Sequence, residues 1–181
     1  MCIRDRDGHR GLGNSRLLPA GPLRERPERL EEVDWVVSSD RNAGTGLPEA
    51  IMTVVPIRFV GVGRGGKTLS PEAFRARYQN VNAVAGIGNP GRFVQTLKAM
   101  DLNPILTAYP DHHRFEGDEI DFENDWPVVC TEKDATKLRM LPDLPQNLYY
   151  LEIATDVVSA DGSSGLDRLK DLLEMHGIRA G

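Results

Sequence analysis

The chain has 181 residues, of which 40% are hydrophobic and 27% charged, the balance of a globular protein. Its net charge of −5 gives no electrostatic support for a nucleic-acid partner, and we expect none. No apolar run reaches the roughly 20 residues that a membrane-spanning helix needs. Cys2 and Cys130 lie far apart in the sequence, which argues against a disulfide or metal framework.

The first third of the chain predicts few regular elements. Residues 1–6 form an abrupt, charged start that we interpret as foreign to the rest of the chain or disordered. A loop rich in Gly, Pro, Arg and Leu follows and ends in a short helix at 27–32, with a proline in its first turn. Apolar runs predict strands at 33–37 and 51–62. Pro56 lies inside the second run, so we expect an edge strand or an interrupted one there.

From Ser70 onward, helical and strand patterns alternate. Ser70 is a favourable N-cap and Pro71 a favourable first helical residue, so a helix should run from here to about Tyr78. Further strands are predicted at 81–87, 104–109, 128–131 and 148–153, and further helices at 89–100, 132–139 and 165–176. This alternation predicts an α/β fold with a layered, largely parallel sheet and flanking helices. We expect 51–62 to pair with 148–153.

A glycine-rich segment, Gly61–Thr68, fits the phosphate-binding pattern GxxxxGK[ST]. In such a loop the backbone amides cradle phosphates, and a helix begins at the Gly-Lys step. Pro71 removes a helical donor close to that step and pushes Ser70 out of the helical region. The helix should therefore begin at Ser70, too late for a phosphate cradle. We favour a glycine-rich β-turn over a working P-loop.

A second segment, Gly86–Gly91, fits the dinucleotide pattern GxGxxG between a strand and a helix. Asp111 follows roughly 20 residues later, where a ribose-binding acid is expected. A dinucleotide-binding oxidoreductase domain is therefore the alternative function. Pro90 removes an amide from the turn in which the pyrophosphate would bind. We favour a tight turn in which Asn89 caps the following helix.

The segment Tyr109–Phe115 contains three adjacent polar residues, Asp111, His112 and His113. Histidine can take up a proton near neutral pH or orient a carboxylate, which makes all three candidate catalytic residues. Adjacent histidines point in different directions, and no further His or Cys cluster completes a metal shell, so we predict no metal site. The structural alternative is a polar turn in which Asp111 accepts backbone amides.

Four segments together resemble the tetraacyldisaccharide 4'-kinase family, the lipid A 4'-kinases. They are Gly13–Glu25, Ala83–Phe93, Pro110–Phe115 and Thr131–Ala135. Their order and spacing are also similar to those of the family. The resemblance covers about residues 7–155 and concerns the C-terminal portion of the family.

The resemblance implies a transferase that moves the γ-phosphoryl group of ATP to the 4'-hydroxyl of a tetraacyldisaccharide 1-phosphate. This reaction belongs to lipid A, and hence lipopolysaccharide, biosynthesis. The resemblance implies ATP and Mg²⁺ as cofactors and the lipid A disaccharide precursor as partner. It also implies peripheral association with the cytoplasmic face of the Gram-negative inner membrane.

The resemblance further implies the C-terminal lobe of a two-lobe, P-loop-kinase-like enzyme. Residues 1–6 would lie outside the family, 7–50 would be the remnant of the N-terminal lobe, 51–69 a β-rich interlobe linker, and 70–181 the C-terminal α/β lobe. In the family, the P-loop, the Asp-rich magnesium and base segment and the membrane anchor precede the region that this chain resembles. We therefore expect no cofactor-binding residues here and no kinase activity from this chain alone.

The resemblance also suggests roles for individual residues. His112, slightly favoured over His113, is expected to tune and orient the catalytic base. Glu25 is a candidate active-site carboxylate, and its alternative is a surface ion pair with a neighbouring arginine, Arg24 or Arg26. For the segment Thr131–Asp134 we favour a helix cap over a catalytic role.

Overall fold

A computed structural model describes residues 2–9, 11–63 and 65–177 and shows an α/β fold. Within these ranges the strands are β1 (Ile3–Asp7), β2 (Trp35–Ser39), β3 (Glu49–Gly61), β4 (Thr68–Leu69), β5 (Asn80–Ala85), β6 (Asn103–Ala108), β7 (Val128–Thr131) and β8 (Leu148–Val158). The α-helices are α1 (Pro71–Arg77), α2 (Pro90–Ala99), α3 (Glu132–Leu138) and α4 (Gly165–Met175). Short 3-10 helices cover Pro27–Glu32 and Asp118–Ile120.

The chain divides into two compact units. The first comprises the described parts of residues 1–55 and 155–181, and the second comprises 56–154. The strands β3 and β8 each contribute residues to both. This division places the C-terminal helix with the N-terminal segment, whereas the sequence analysis assigns that helix to the C-terminal lobe. The correspondence between these units and the lobes of the family remains a prediction.

In the first unit, three strands lie side by side in parallel. Ile3 of β1 lies opposite Trp35 of β2, and Val36 of β2 lies opposite Glu49 at the start of β3. The sequence analysis predicts no strand at the chain start, but β1 forms there from residue 3 onward. Met1 and Arg10 lie outside the described residues. Most residues of β1 are charged, so the sequence has no apolar run or alternation there that would predict a strand.

A buried carboxylate shapes the loop between β2 and β3. Glu49 is 2% exposed and accepts hydrogen bonds from the amides of Ala43 (2.7 Å) and Thr45 (2.9 Å) and from the hydroxyl of Ser38. Burial alone would raise the pKa of Glu49, but the hydrogen bonds from Ser38 and Thr45 outweigh it and lower the pKa. The charged form therefore holds the loop in place.

In the second unit, a parallel sheet carries the core. The strand order is β3-β8-β7-β5-β6, and β8, β7, β5 and β6 are all parallel. Asn82 of β5 lies opposite Val128 of β7, which lies opposite Leu148 of β8. Because these four strands share one direction, their carboxyl ends meet at one edge of the sheet. This arrangement confirms the predicted α/β fold with a layered sheet.

The second half of β3 runs antiparallel to β8. The amide of Val62 donates to the carbonyl of Leu148 at 3.0 Å, and Arg58 pairs with Glu152 at 2.7 Å. Between these two contacts the residue number rises along β3 and falls along β8, which is the register of antiparallel strands. The predicted pairing of 51–62 with 148–153 is therefore confirmed.

The prediction for Pro56 holds in one of its two forms. β3 continues through Pro56 for 13 residues, so the strand is not interrupted. Pro56 falls between Met52, the last residue paired with β2, and Phe59, the first residue paired with β4. At Pro56 the strand therefore has a local edge between these two ladders, a position in which proline is tolerated.

The sheet of the second unit is packed on both faces. One face carries an aromatic cluster in which Phe59 stacks on Phe74 with ring centroids 3.7 Å apart and Tyr149 meets Phe74 edge-on. Leu97 of α2 is fully buried in the same cluster. The other face buries Leu138 of α3. Strands covered on both faces favour continuous apolar runs, as the sequence shows.

Three helices of the second unit begin at the predicted caps. The side chains of Ser70, Asn89 and Thr131 accept hydrogen bonds from Ala73 N, Arg92 N and Asp134 N, respectively. Each satisfies one of the amides that a helix start leaves unpaired. The caps fix where the chain turns from strand to helix.

None of the helices among the described residues combines the length and apolar character needed to cross a bilayer.

Truncation of Leu97 tests the core. We expect Leu97→Ala to lower the free energy of unfolding by about 2–5 kcal/mol, because it leaves a cavity in a fully buried position. Met140→Ala, in the same unit and 86% exposed, should change it by less than about 0.5 kcal/mol. Urea unfolding followed by Trp126 fluorescence in a Trp35→Phe background reports on the second unit. Equal effects of the two substitutions would contradict this packing.

Candidate functional site

Three loops meet at the carboxyl edge of the parallel sheet in the second unit. Gly86–Asn89 follows β5, Tyr109–Phe115 follows β6, and Glu132–Asp134 opens α3 after β7. In open α/β sheets, ligands bind in the crevice outside the carboxyl ends of the strands. This edge is therefore the candidate active-site region, and it contains the Asp-His-His segment predicted from the sequence.

Asp134 ties two of these loops together. Its side chain is fully buried and accepts hydrogen bonds from the amide of Gly86 (3.0 Å) and the hydroxyl of Thr131 (2.7 Å), with Lys137 Nζ at 3.2 Å. A buried carboxylate is stable only when its oxygens are satisfied in this way. A Cβ atom on Gly86 would lie 3.1 Å from the Asp134 carboxylate. Thr131 caps α3 as predicted, and Asp134 acts as a structural anchor.

A second ion pair joins the start of α3 to the loop after β6. Lys133 Nζ donates to Asp111 at 2.8 Å, and both side chains are about half exposed. The hydrogen bond from Lys133 holds the pKa of Asp111 below its usual value. Asp111 also accepts the amide of His112, as the predicted polar turn requires. The carboxylate is thus charged and fixed in direction at the rim of the site.

His112 points outward from a tight turn. The amide of His113 donates to the carbonyl of Pro110 at 3.0 Å, and His112 has a φ of +64°. Left-handed backbone is uncommon outside glycine, although Asn, Asp and His adopt it more readily than other residues. The His112 side chain is 81% exposed, and its Nε2 lies 3.7 Å from Asp111. Its imidazole is therefore accessible to a substrate or to another part of the protein.

His113 points inward from the same turn. Its ring stacks on Tyr109 with centroids 4.5 Å apart and meets Phe115 edge-on at 5.0 Å. Its Nε2 lies 2.8 Å from the carboxylate of Glu119. When Nε2 donates to Glu119, Nδ1 is the nitrogen left to accept a proton. The two adjacent histidines therefore occupy different environments: His112 is exposed, and His113 is held by its contacts with Tyr109 and Glu119.

Glu119 is a site residue that the sequence analysis did not identify. Burial would raise its pKa, but hydrogen bonds from His113 and from the amides of Gly117 and Glu116 lower the pKa to about 2. Glu119 lies in the 3-10 helix at Asp118–Ile120, six residues after its histidine. A spacing of six residues across an irregular loop gives no periodic signal, and only the fold reveals the pair.

Glu25 belongs to the first unit, whereas Asp111, His112 and His113 belong to the second. Its carboxylate pairs with Arg4 at 2.6 Å, and both side chains are substantially exposed. The expected alternative of a surface ion pair is present, but with Arg4 in place of Arg24 or Arg26. Such an exposed pair contributes little to stability. An active-site role for Glu25 remains a prediction.

The segment Gly86–Gly91 lacks much of what a dinucleotide loop needs. The amide of Gly86 donates to Asp134, the amide of Arg92 donates to the Asn89 side chain, and Pro90 has no N–H. The amides of Gly86 and Arg92 are therefore not available to a pyrophosphate, and position 90 offers none. A Cβ atom on Gly88 would meet nothing within 4 Å, so no close backbone approach explains that glycine. These contacts favour the capped turn over the oxidoreductase alternative.

The segment Gly61–Thr68 forms the turn between β3 and β4. Within it, Arg64 lies outside the described residues. The amide of Gly61 donates to the carbonyl of Lys67 at 2.9 Å, and the following helix starts only at Pro71, capped by Ser70. A Cβ atom on Gly66 would come within 2.3 Å of the Gly61 carbonyl oxygen, which explains the glycine there. The predicted β-turn is confirmed.

Within the described ranges, no three His, Cys, Asp or Glu side chains come together as a metal site.

The pKa of Glu119 predicts a pH dependence of stability. Because this pKa is about 2 in the folded protein and 4.5 without the fold, the stabilisation is complete above about pH 4.5 and is lost as the pH falls towards 2. We expect Glu119→Gln to lower the free energy of unfolding by about 1–3 kcal/mol at pH 7 and by roughly half as much at pH 3, which lies between the two pKa values. Urea unfolding at several pH values measures this difference.

Glu116→Gln is the matched control, since Glu116 is an exposed carboxylate three residues away. It should change the free energy of unfolding by less than about 0.5 kcal/mol at either pH. A Glu119→Gln effect that does not depend on pH would show that the charge of Glu119 is not what stabilises the loop.

A family model and a set of curated relatives both match this chain, and they identify the same family. The family model described as tetraacyldisaccharide-1-P 4'-kinase (LpxK) matches residues 5–172. Curated relatives named tetraacyldisaccharide 4'-kinase include one from Hahella chejuensis, 40% identical over 157 residues that cover 85% of this chain and 44% of the relative. Another, from Xanthomonas campestris, is 37% identical over 187 residues that cover 94% of this chain and 51% of the relative. The chain thus spans about half the length of the curated relatives it matches.

A solved structure shares the fold. It is the "apo" form of LpxK from Aquifex aeolicus in complex with ATP, with a TM-score of 0.63 and 21% sequence identity. The match covers 96% of this chain and 50% of that one. The sequence matches and the fold agree with the resemblance found in the four sequence segments. This chain belongs to the tetraacyldisaccharide-1-P 4'-kinase family.

Proposed function

We propose that the protein represented by this chain phosphorylates the 4'-hydroxyl of a tetraacyldisaccharide 1-phosphate, with ATP as donor, in lipid A biosynthesis. The match of the family model to residues 5–172 carries this proposal. The curated relatives that support it bear the name of this activity. Peripheral association with the cytoplasmic face of the Gram-negative inner membrane is part of the proposal.

The described residues do not fit ATP and Mg²⁺ on their own. The turn at 61–68 closes a hairpin, and the turn at 86–91 uses its donors within the chain. When bound, ATP supplies the phosphoryl group and Mg²⁺ neutralises its developing charge. By resemblance to the family, the residues that hold them lie outside this stretch. We assign to this stretch the positioning of groups around the acceptor hydroxyl.

Within the stretch, His112 is the best candidate for a group that orients the catalytic base. It is exposed at the carboxyl edge of the sheet and lies beside Asp111, which Lys133 holds in place. An accessible imidazole can donate to a carboxylate and fix its direction. His113, in contrast, is engaged by Glu119 and Tyr109. We propose that His113 supports the loop and that His112 reaches the reaction.

A polypeptide of these 181 residues should show no kinase activity by itself. The reason is that phosphoryl transfer needs a phosphate cradle and a metal-binding acid, which the described residues do not supply. Incubation with radiolabelled ATP, Mg²⁺ and the disaccharide, with the full-length Hahella chejuensis relative as positive control, measures this. ATP-dependent labelling of the disaccharide by the 181-residue polypeptide would contradict the expectation.

The roles of the two histidines can be separated in a chimera. In it, this stretch replaces the matching part of the full-length Hahella chejuensis relative, and activity of the chimera tests the proposed function itself. We expect His112→Gln to lower kcat by roughly 10²-fold through loss of positioning while the melting temperature stays unchanged. His113→Gln should lower the melting temperature, because it removes a partner of the Glu119 carboxylate.

Two outcomes would count against these assignments. An inactive chimera that is folded by circular dichroism would argue against the proposed function. A fully active His112→Gln chimera, with kcat lost instead in His113→Gln at an unchanged melting temperature, would reverse the roles of the histidines.

A further inference from the structure

A wide groove opens in the second unit at the amino ends of the parallel strands. It encloses about 1140 Å³. Its wall includes the glycine turn at the end of β3, Tyr78 just before β5, and Asn147 just before β8. The Asp-His-His segment follows the carboxyl end of β6, at the opposite edge of the sheet. The groove is therefore separate from the candidate active-site region.

The groove is lined by positive charge without negative charge. Lys67, Arg77 and Arg139 contribute to its wall, and no Asp or Glu does so among the described residues. None of the three cations forms a salt bridge within the described part of the chain, although the net charge of the whole chain is −5. Cations in a concave, partly apolar wall concentrate a positive field.

Aromatic rings hold two of these cations in place. The guanidinium of Arg77 lies over the ring of Tyr78 at 5.3 Å, and that of Arg139 lies over the ring of Tyr150 at 5.2 Å. Stacking of this kind orients a guanidinium and leaves the N–H groups at its edge free to donate. Planar donors of this kind suit the oxygens of a phosphate group.

The glycine turn holds the third cation. Gly61 N donates to Lys67 O, and Gly66 N donates to Gly63 O at 3.0 Å, so the turn is closed by its own backbone. Lys67 is exposed and follows Gly66, where a side chain would clash with the Gly61 backbone. The glycines therefore have a structural role, and the lysine they place faces the groove.

The charge changes sign across a single loop. Leu141, Pro142 and the residues 144–145 line the basic groove and also a neighbouring hollow of about 500 Å³. That hollow carries carboxylates in place of cations, namely Glu116, Asp118, Asp121 and Asp143. An anion near this part of the surface is thus attracted to one side of the loop and repelled from the other.

We propose that this basic groove is a binding site for the phosphate group of an organic phosphate. The three cations would contact the phosphate oxygens, and the apolar wall at Val62, Leu141 and Leu144 would contact the organic part. The volume exceeds what a free phosphate ion needs and lies just above the usual range of ligand pockets, about 300–1,000 Å³. A soluble organic phosphate and a phospholipid headgroup share this chemistry.

The test measures binding by the 181-residue chain in two arms. One arm titrates glycerol 3-phosphate and follows it by calorimetry. The other arm sediments the chain with vesicles of phosphatidylglycerol and phosphatidylcholine, and with vesicles of phosphatidylcholine alone. Lys67→Gln is compared with Lys98→Gln, an exposed lysine outside the groove that gives the same change in charge. The double variant Lys67→Gln, Arg77→Gln removes two of the three cations.

We expect Lys67→Gln to weaken binding about tenfold, the double variant to abolish it, and Lys98→Gln to leave it within about twofold. Loss in the first arm alone identifies a soluble phosphate, and loss in the second arm alone identifies a lipid headgroup. Melting curves show whether each variant is folded, and a folded single variant is sufficient for the test. No binding in either arm, or equal weakening by Lys67→Gln and Lys98→Gln, would overturn the proposal.

Discussion

The buried carboxylate of Asp134 is the interaction on which the candidate site depends. It is fully buried and placed where the loop after β5 meets the start of α3. A carboxylate in such a position costs several kcal/mol unless its oxygens are paired, and here Gly86, Thr131 and Lys137 pair them. The loops of the carboxyl edge are therefore held by a network that loses stability if any one partner is lost. That rigidity is what a positioning role requires.

A parallel sheet gives the second unit two chemically different edges. At the carboxyl edge the chain carries Asp111, His112 and His113, which favour proton handling and the orientation of a base. At the amino edge it carries three cations around a groove, Lys67, Arg77 and Arg139, and none of them forms a salt bridge with a described residue. Between them, β5 and β7 are buried along nearly their whole length and have little room to vary. Function can therefore differ between the two edges while the core stays the same.

Local signals were predictable from the sequence, and contacts between distant residues were not. Ser70, Asn89 and Thr131 cap their helices as predicted, because a cap involves residues only three positions apart. The turn at 61–68 was also predictable, because Pro71 sets the start of the helix. The pairing of β3 with β8 is the exception, since it joins residues up to 94 positions apart and was nevertheless expected. In the caps and the turn, short-range chemistry decides the structure.

The structure could not be predicted from the sequence where it depends on which distant segment lies next to a residue. Pro56 predicted an edge or an interrupted strand, and only the ladders beside it, which end at Met52 and begin at Phe59, show that the strand continues with a local edge there. β1 is polar, and it forms a strand because β2, which follows some 30 residues later in the sequence, lies beside it in parallel. The Asp-His-His segment was identified, but the different environments of His112 and His113 arise from Tyr109 and Glu119, which the fold supplies.

The ion pair between Lys133 and Asp111 has a consequence for how this family can vary. Lys133 follows β7 and Asp111 follows β6, and β5 lies between those two strands. The ends of β6 and β7 are therefore two strand spacings apart, roughly 10 Å, and the two loops together bridge that distance to bring the charged atoms within 2.8 Å. An insertion in either loop would move one partner away from the other. The two loops should accordingly be inherited and exchanged together, with their lengths covarying across related kinases.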